Sequence, residues 1–309
     1  MSNNNNVILS IKRLGETSFT DYSSIFTFSF LKERYTPFTL LRIRAVYDCD
    51  NADIADVKLT VNRKLIHHGI LDYCVVEKTF GRRIISIVSR GFTSLLGQNE
   101  LAPGVKTQLS LIGLMTSLPA IRNVTWEQNN NTARIVYVKE HSSQWDAVVN
   151  TCLAVYHTHP YIAGTNELRF TSPAVSSVSH NGKIICVGNG ADYTRLISAM
   201  HMKDSSGTYN SYNYTDGFAA ARGIVREKYI EFDKQWLAES TFGLNYKLNY
   251  AERGSRYEYL RYKGYDGEDI CLNVDISPSS TLILSKLEIS GDSKGITTTN
   301  TFYHDKYCN

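Results

Sequence analysis

The chain has 309 residues, 42% of them hydrophobic and 20% charged, which excludes a disordered polypeptide and leaves room for two or three domains. Lys+Arg 33 against Asp+Glu 30 leaves a net charge of +3, too small a basic excess for a protein that lives on phosphate contacts. Twenty tyrosines, beside 6 prolines and 4 methionines, tilt the composition toward β structure, because aromatic side chains fit pleated, half-buried surfaces.

The N-terminus, Met1-Ser2-Asn3-Asn4-Asn5-Asn6, has neither a basic nor an apolar region and reads as a short lead-in with no secretory signal. Strands follow closely. Ile25 to Phe30 alternates, which puts Phe26, Phe28 and Phe30 on one face. Leu41, Ile43 and Ala45 alternate with Arg42 and Arg44, and Val57, Leu59 and Val61 with Lys58 and Thr60. Ile84 to Ser89 supplies another strand, and turn-forming pairs such as Asp50-Asn51 and His68-Gly69 separate the segments. Short strands at this spacing predict a small barrel or sandwich.

The pattern then changes. Thr107 to Leu118 is densely apolar and predicts a helix, although Ser110, Gly113 and Pro119 interrupt the longest apolar stretch, so no membrane-spanning helix is expected. Ala133 to Val138 reads as a strand. Ser143 to His157 is the clearest helix: Trp145, Val148, Val149, Cys152, Val155 and Tyr156 share one side. Ser143 caps it, Asp146 completes a capping box, and Pro160 stops it. Leu168 to Phe170 predicts a strand after a turn at Gly164. From Lys183, strands are expected at 183–187, 194–203, 223–232, 269–276 and 281–290, with a short helix at Phe218 to Arg222. The interleaved charges between Arg222 and Asp269 predict a solvated or interfacial surface and exclude a single-sign patch.

Each chemical motif competes with a plainer alternative. Tyr156-His157-Thr158-His159-Pro160 resembles the His-x-His-Pro core of deubiquitinase-like zinc proteases. The serine and aspartate that complete that pattern are replaced by Leu168 and Thr171, which favours a helix end whose imidazoles meet the terminal carbonyls. His67 and His68 are adjacent, so on a strand they point to opposite faces and cannot share a metal. Gly188-Asn189-Gly190 lacks the spacing of a nucleotide loop, and Gly91-Phe92-Thr93-Ser94 is not a nucleophile elbow. Asp266, Glu268 and Asp269 do not have EF-hand spacing and predict an exposed turn. Cys49, Cys74, Cys152, Cys186, Cys271 and Cys308 are scattered, form no CxxC, and are expected as reduced thiols. The sequons at Asn123, Asn130 and Asn213 carry no meaning without secretion. Tyr209, Tyr212 and Tyr214, in a Ser/Asn/Gly-rich loop, suit a protein interface, with a sugar platform as the other use of such rings.

The order of segments carries a resemblance along nearly the whole chain. Tyr35-Thr36-Pro37-Phe38-Thr39-Leu40, Ile43 to Asp48, His68-Gly69-Ile70, Ser89-Arg90-Gly91-Phe92 and Leu95-Leu96 resemble the start of the late control D–like baseplate hub proteins of contractile phage tails. Ser142-Ser143-Gln144-Trp145-Asp146, Pro160-Tyr161-Ile162 and Leu168-Arg169-Phe170 resemble their middle segment. Arg222-Gly223-Ile224 and Gly291 to Ile296 fit more loosely.

The resemblance implies a β-rich α+β fold. A β-barrel domain at 1–92 and a second one with a short helix at 176–309 would flank a mixed α/β insert at 93–175. It also implies a non-enzymatic homotrimer that joins the tail tube protein to the central spike protein and meets other baseplate proteins. No sequence-specific nucleic-acid contact, membrane insertion or cofactor is expected, and no catalytic, cofactor-binding or metal-ligating residue is assigned. The location implied is a virion or tail-like particle, assembled in the bacterial cytoplasm. The rival readings are a zinc-dependent hydrolase built on His157 and His159, and a carbohydrate-binding β module.

Overall fold

Alternation in the first ninety residues becomes seven strands: β1 (Val7–Arg13), β2 (Thr20–Tyr22), β3 (Ile25–Glu33), β4 (Thr39–Tyr47), β5 (Ile54–Val61), β6 (Lys64–Thr79) and β7 (Arg82–Gly91). The computed structural model describes residues 6–50, 53–171, 177–178, 180, 183–231, 240–277 and 280–304. Inward residues of these strands, among them Leu9, Ile11, Leu41, Val57, Leu59 and Ile85, are fully or almost fully buried. One face assignment fails: Phe28 and Phe30 are buried, but Phe26 is 43% exposed. The register of β3 against β4 shifts between Ile25 and Thr27, and a bulge there moves a residue out of the alternating face.

The middle of the chain contributes α1 (Ser94–Gln98), β8 (Gly104–Ser110), α2 (Leu111–Ser117), β9 (Thr125–Trp126), β10 (Thr132–Val138), α3 (Gln144–Tyr156), β11 (Tyr161–Ala163) and β12 (Glu167–Arg169). The helix expected over 107–118 is half strand. Ser110 ends β8 and caps α2, its Oγ accepting from the Gly113 N–H at 3.0 Å, so the apolar run changes conformation at the capping residue. At α3 the capping box forms as expected: Ser143 Oγ accepts from the Asp146 N–H, and the Asp146 carboxylate accepts from the Ser143 N–H. Buried Trp145, Val148, Val149 and Cys152 on α3 pack with Phe92, Leu96, Leu111, Leu114, Ile162, Leu168 and Phe170 as a separate hydrophobic core.

The remainder supplies β13 (Ser177–Val178), β14 (Ile184–Ala191), β15 (Ala199–Met202), β16 (Tyr212–Thr215), α4 (Gly217–Ala220), β17 (Glu227–Ile230), α5 (Ser240–Glu252), β18 (Arg256–Lys263), β19 (Asn273–Ser277), β20 (Ser280–Ile283), β21 (Lys286–Asp292) and β22 (Gly295–Tyr303). The strands expected at 194–203 and 223–232 shrink to β15 and β17; parts of the latter lie outside the described residues. The strand expected at 281–290 breaks at Leu284-Ser285 into β20 and β21. The polar surface expected between Arg222 and Asp269 contains β18, a central strand whose Leu260 and Tyr262 are fully buried.

Both β-rich halves share one eleven-stranded sheet, ordered β14-β18-β22-β21-β3-β4-β7-β6-β5-β1-β2 and curled into a half barrel. The seam between halves is the antiparallel pair β3–β21, in register from Glu33↔Lys286 to Phe28↔Gly291. Gly291 is required here: a Cβ would collide with the Phe28 ring. One hydrophobic core runs along this sheet, from Leu9 and Val57 in one half to Leu260, Leu287 and Phe302 in the other. A small third cluster, Met200, Met202 and Leu248, is formed by β15 and α5. The fold class is β-rich α+β.

Candidate assembly surfaces

The histidine motif is a structural corner. His157 ends α3 in the left-handed conformation at φ 55° and is exposed, whereas His159 is buried. His159 Nδ1 lies 2.7 Å from the Pro160 carbonyl oxygen, to which it can donate. Its ring packs against Tyr35 at 4.8 Å, Tyr250 at 6.0 Å and Trp145 at 6.1 Å between centroids. Those partners come from the β3–β4 connection, α5 and α3, so one imidazole fills the joint between three stretches of chain. Burial pushes the His159 pKa down to about 3 and keeps the ring neutral. The two imidazoles thus occupy different environments, and among the described residues no group of three His, Cys, Asp or Glu side chains could hold a metal ion.

His67 and His68 take opposite faces of β6, as their adjacency requires. His67 is enclosed, its Nδ1 2.8 Å from Thr39 Oγ1 and its Nε2 2.8 Å from Ser89 Oγ. His68 sits between the rings of Phe19 and Phe92. Burial depresses both pKa values, to about 3 and about 4.

The carboxylates expected in an exposed turn are instead pulled apart into structural roles. Glu268 is fully buried; it accepts from the Tyr262 hydroxyl and, at 2.9 Å, from Asn300 Nδ2. Asp266 meets His180 Nδ1 at 3.0 Å and Lys183 Nζ at 2.8 Å. Asp269 pairs with buried Lys32 of β3 and accepts from the Gly164 N–H at 2.7 Å, while Lys32 also donates to the Gly164 carbonyl at 2.7 Å. Lys32, Gly164 and Asp269 therefore tie together the first β-rich half, the middle segment and the second half. Nothing in the sequence marked this clamp: its members are 132 and 237 positions from Lys32.

Glycine in Gly188-Asn189-Gly190 serves the sheet. The motif lies in β14, where Gly188 faces Tyr259 and Gly190 faces Tyr257 on β18. A Cβ on Gly188 would stand 2.7 Å from the Tyr259 ring, and one on Gly190 would strike Tyr257, so both tyrosines lie flat across the outer strand. Gly91 to Ser94 forms the passage from β7 into α1.

Among the described residues, two groups of exposed apolar and aromatic side chains stand out. One is β14, an end strand of the large sheet, with Ile184 48%, Ile185 49% and Val187 49% exposed. The other is an aromatic group in which Tyr229, 60% exposed, stacks on His201 at 4.6 Å and meets Tyr209 edge-on at 5.3 Å. Tyr212 and Tyr214 are half-buried against Met200, Met202 and Leu248, so part of their area serves packing. Cys152 and Cys271 are buried free thiols, and the free thiol of Cys186 on β14 is exposed; Cys308 lies outside the described residues. Among the described residues, no helix is long and apolar enough to cross a membrane.

No protein-family model and no curated protein sequence matches the chain. Solved structures do. A tail protein from Neisseria meningitidis MC58 superposes with a TM-score of 0.73 at 13% identity, covering 98% of both chains. The 43 kDa tail protein of prophage MuSo2 from Shewanella oneidensis superposes with a TM-score of 0.69 at 12% identity, over 96% of this chain and 98% of that one. An Escherichia coli component of the type VI secretion system, described as structurally similar to tail proteins of bacteriophage T4, gives 0.54 at 8% identity over 95% of this chain and 75% of that one. The chain has the fold of phage tail and baseplate-like proteins.

Proposed function

We propose that the protein is a non-enzymatic hub of a contractile tail baseplate, a homotrimeric ring that joins the tail tube to the central spike. The observation that supports this reading most directly is the coverage: the likeness to a tail protein takes in 98% of both chains, including the middle segment as well as the two β-rich halves. A ring under mechanical load needs long strand pairing and buried contacts between segments, and the eleven-stranded sheet and the Lys32–Gly164–Asp269 clamp are of that kind. In this reading residues 1–92 and 176–309 act as the two barrel-like units and 93–175 as the insert between them. The partners are the tube, the spike and neighbouring baseplate proteins, in a virion or tail-like particle assembled in the bacterial cytoplasm.

Native mass spectrometry of the purified chain, alone and with candidate tube and spike proteins, tests the reading. A species of three chains that retains both partners is expected. A monomer at every concentration, with no binding to either, overturns it.

A further inference from the structure

Like charges gather at one place only where something compensates them. On the face of β1, β5 and β6 turned away from the main core, the register sets Lys12 beside Asp56, Ser10 beside Lys58, and Lys58 beside His68. The middle segment covers part of this face with Phe92 and Arg122, and Phe19 of the β1–β2 connection borders it.

Three cations meet there. Lys12 Nζ lies 2.6 Å from Asp56 Oδ2, and Arg122 Nη2 lies 2.8 Å from Asp56 Oδ1 and donates to the Ala55 carbonyl at 2.7 Å. Asp56 is buried. Lys58 makes no ion pair and no hydrogen bond among the described residues. Its Nζ stands 3.9 Å from the centre of the Phe19 ring, which Lys12 Nζ also approaches, at 5.5 Å. Asp21, the next carboxylate in the row of Lys58, is two strands away, exposed, and accepts from Ser10 Oγ at 2.5 Å. One buried carboxylate therefore answers three cations, and a surplus of two positive charges is left.

The imidazole beside them responds to that surplus. His68 lies between Phe19 and Phe92, and its Nε2 is buried without a hydrogen-bond partner. Burial depresses its pKa, and Lys58, Arg122 and Lys12 each push it the same way against the pull of Asp56. The neutral ring can carry its proton on Nε2 and donate it. The cluster is also reachable: the side chains of Lys12 and Arg122 are 24% and 52% exposed.

We propose that Lys12, Lys58, Arg122 and His68 form a binding site for a free, doubly charged oxyanion of the phosphate type. Such an ion matches the surplus of two charges, whereas a single carboxylate leaves one cation unanswered. Its several oxygens suit ammonium groups, which act as point charges, together with the N–H groups that Arg122 does not spend on Asp56 and Ala55.

Isothermal titration of the purified chain with inorganic phosphate, at about pH 8 where the second ionisation is largely complete, tests this. One phosphate per chain is expected, with the His68 ring signals moving in nitrogen-edited NMR over the same titration. Lys58→Met breaks no ion pair and is expected to weaken binding about tenfold, with unchanged circular dichroism as the folding control; Lys58→Arg is expected to restore it. At equal ionic strength, sulfate should compete with phosphate and acetate should bind about tenfold more weakly. No saturable binding of phosphate, a Lys58→Met chain that binds as tightly as wild type, His68 signals that stay still, or acetate that matches phosphate overturns the proposal. Each of these outcomes leaves the trimeric reading standing, because binding is read per chain whatever the oligomeric state.

Discussion

The two halves of the large sheet bury different kinds of interior. In the first half the buried side is mainly aliphatic, with Leu9, Ile11, Leu41, Leu59, Ile85 and Ile87 at most 2% exposed, and His67 enclosed between Thr39 and Ser89 as a local polar group. In the second half, Tyr262, Glu268, Thr298 and Asn300 are as deeply buried, with Leu260 and Phe302 among them. Aliphatic burial is non-directional and holds a sheet together through area. A buried polar network holds it through geometry, and it is costly when one member is lost. Burial between Glu268 and its neighbours drives the Tyr262 phenol far above its usual pKa, so it stays a donor at any accessible pH. One continuous sheet thus has a tolerant half and an exacting half.

The seam between them should break hardest. Lys32→Ala strands the Asp269 carboxylate beside two backbone groups, and a loss of about 4 kcal/mol is expected in urea unfolding, as for other buried pairs deprived of one partner. A loss below about 1 kcal/mol, the value of a surface pair, would mean the halves are joined by the strand pairing alone.

Within the halves, Leu59→Ala and Glu268→Ala should each cost about 3 kcal/mol, for different reasons: a cavity in one case, orphaned donors in the other. The conservative variants separate them. Leu59→Met keeps volume and should lose under about 1.5 kcal/mol, whereas Glu268→Met, similar in size but with no acceptor for Tyr262 and Asn300, should still lose most of what alanine loses. Equal rescue at both sites would erase the distinction between the halves.

Acid should bring a smaller and more gradual effect. His67, His68 and His159 have native pKa values of about 3, 4 and 3, below the usual value near 6.5 of an unfolded chain. Above that value neither state is protonated and the groups contribute no slope. As pH falls from about 6.5 toward 4, the unfolded chain gains protons that the native chain refuses, so stability declines. The urea midpoint should therefore fall over this window, and His159→Phe, which fills the same aromatic joint, should remove about a third of the histidine slope. A midpoint flat from pH 7 to 4.5 would contradict the burial of all three rings.

The same contrast explains what could be read beforehand. In β4, β5 and β7 apolar and polar residues alternate, and those strands were legible. Strand β18, Arg256-Tyr257-Glu258-Tyr259-Leu260-Arg261-Tyr262-Lys263, alternates with a break at Leu260 that puts its tyrosines on both faces, and its charges suggest solvent. Strand β22 hides its inward side behind Thr298 and Asn300, which look like surface residues until their partners across the fold are known. The α3 capping box was legible because everything it needs lies within three residues. The His159 joint and the Lys32 clamp were not, because their partners are fixed by tertiary packing. A period-two pattern of Tyr against charge, treated as equivalent to Leu against Ser, would have located β18.

The β3–β21 seam also bears on how the chain is made. Phe28 to Glu33 emerge early in synthesis, yet their partners, Lys286 to Gly291, leave the ribosome some 250 residues later, and contacts of that separation close late. Until then β3 is a bare edge carrying Phe28 and Phe30 next to β4. The nascent first half is therefore exposed to wrong pairing for most of translation, and a chain ended before β21 would remain so permanently. Completion of the C-terminal strands is what turns an adhesive intermediate into a finished subunit.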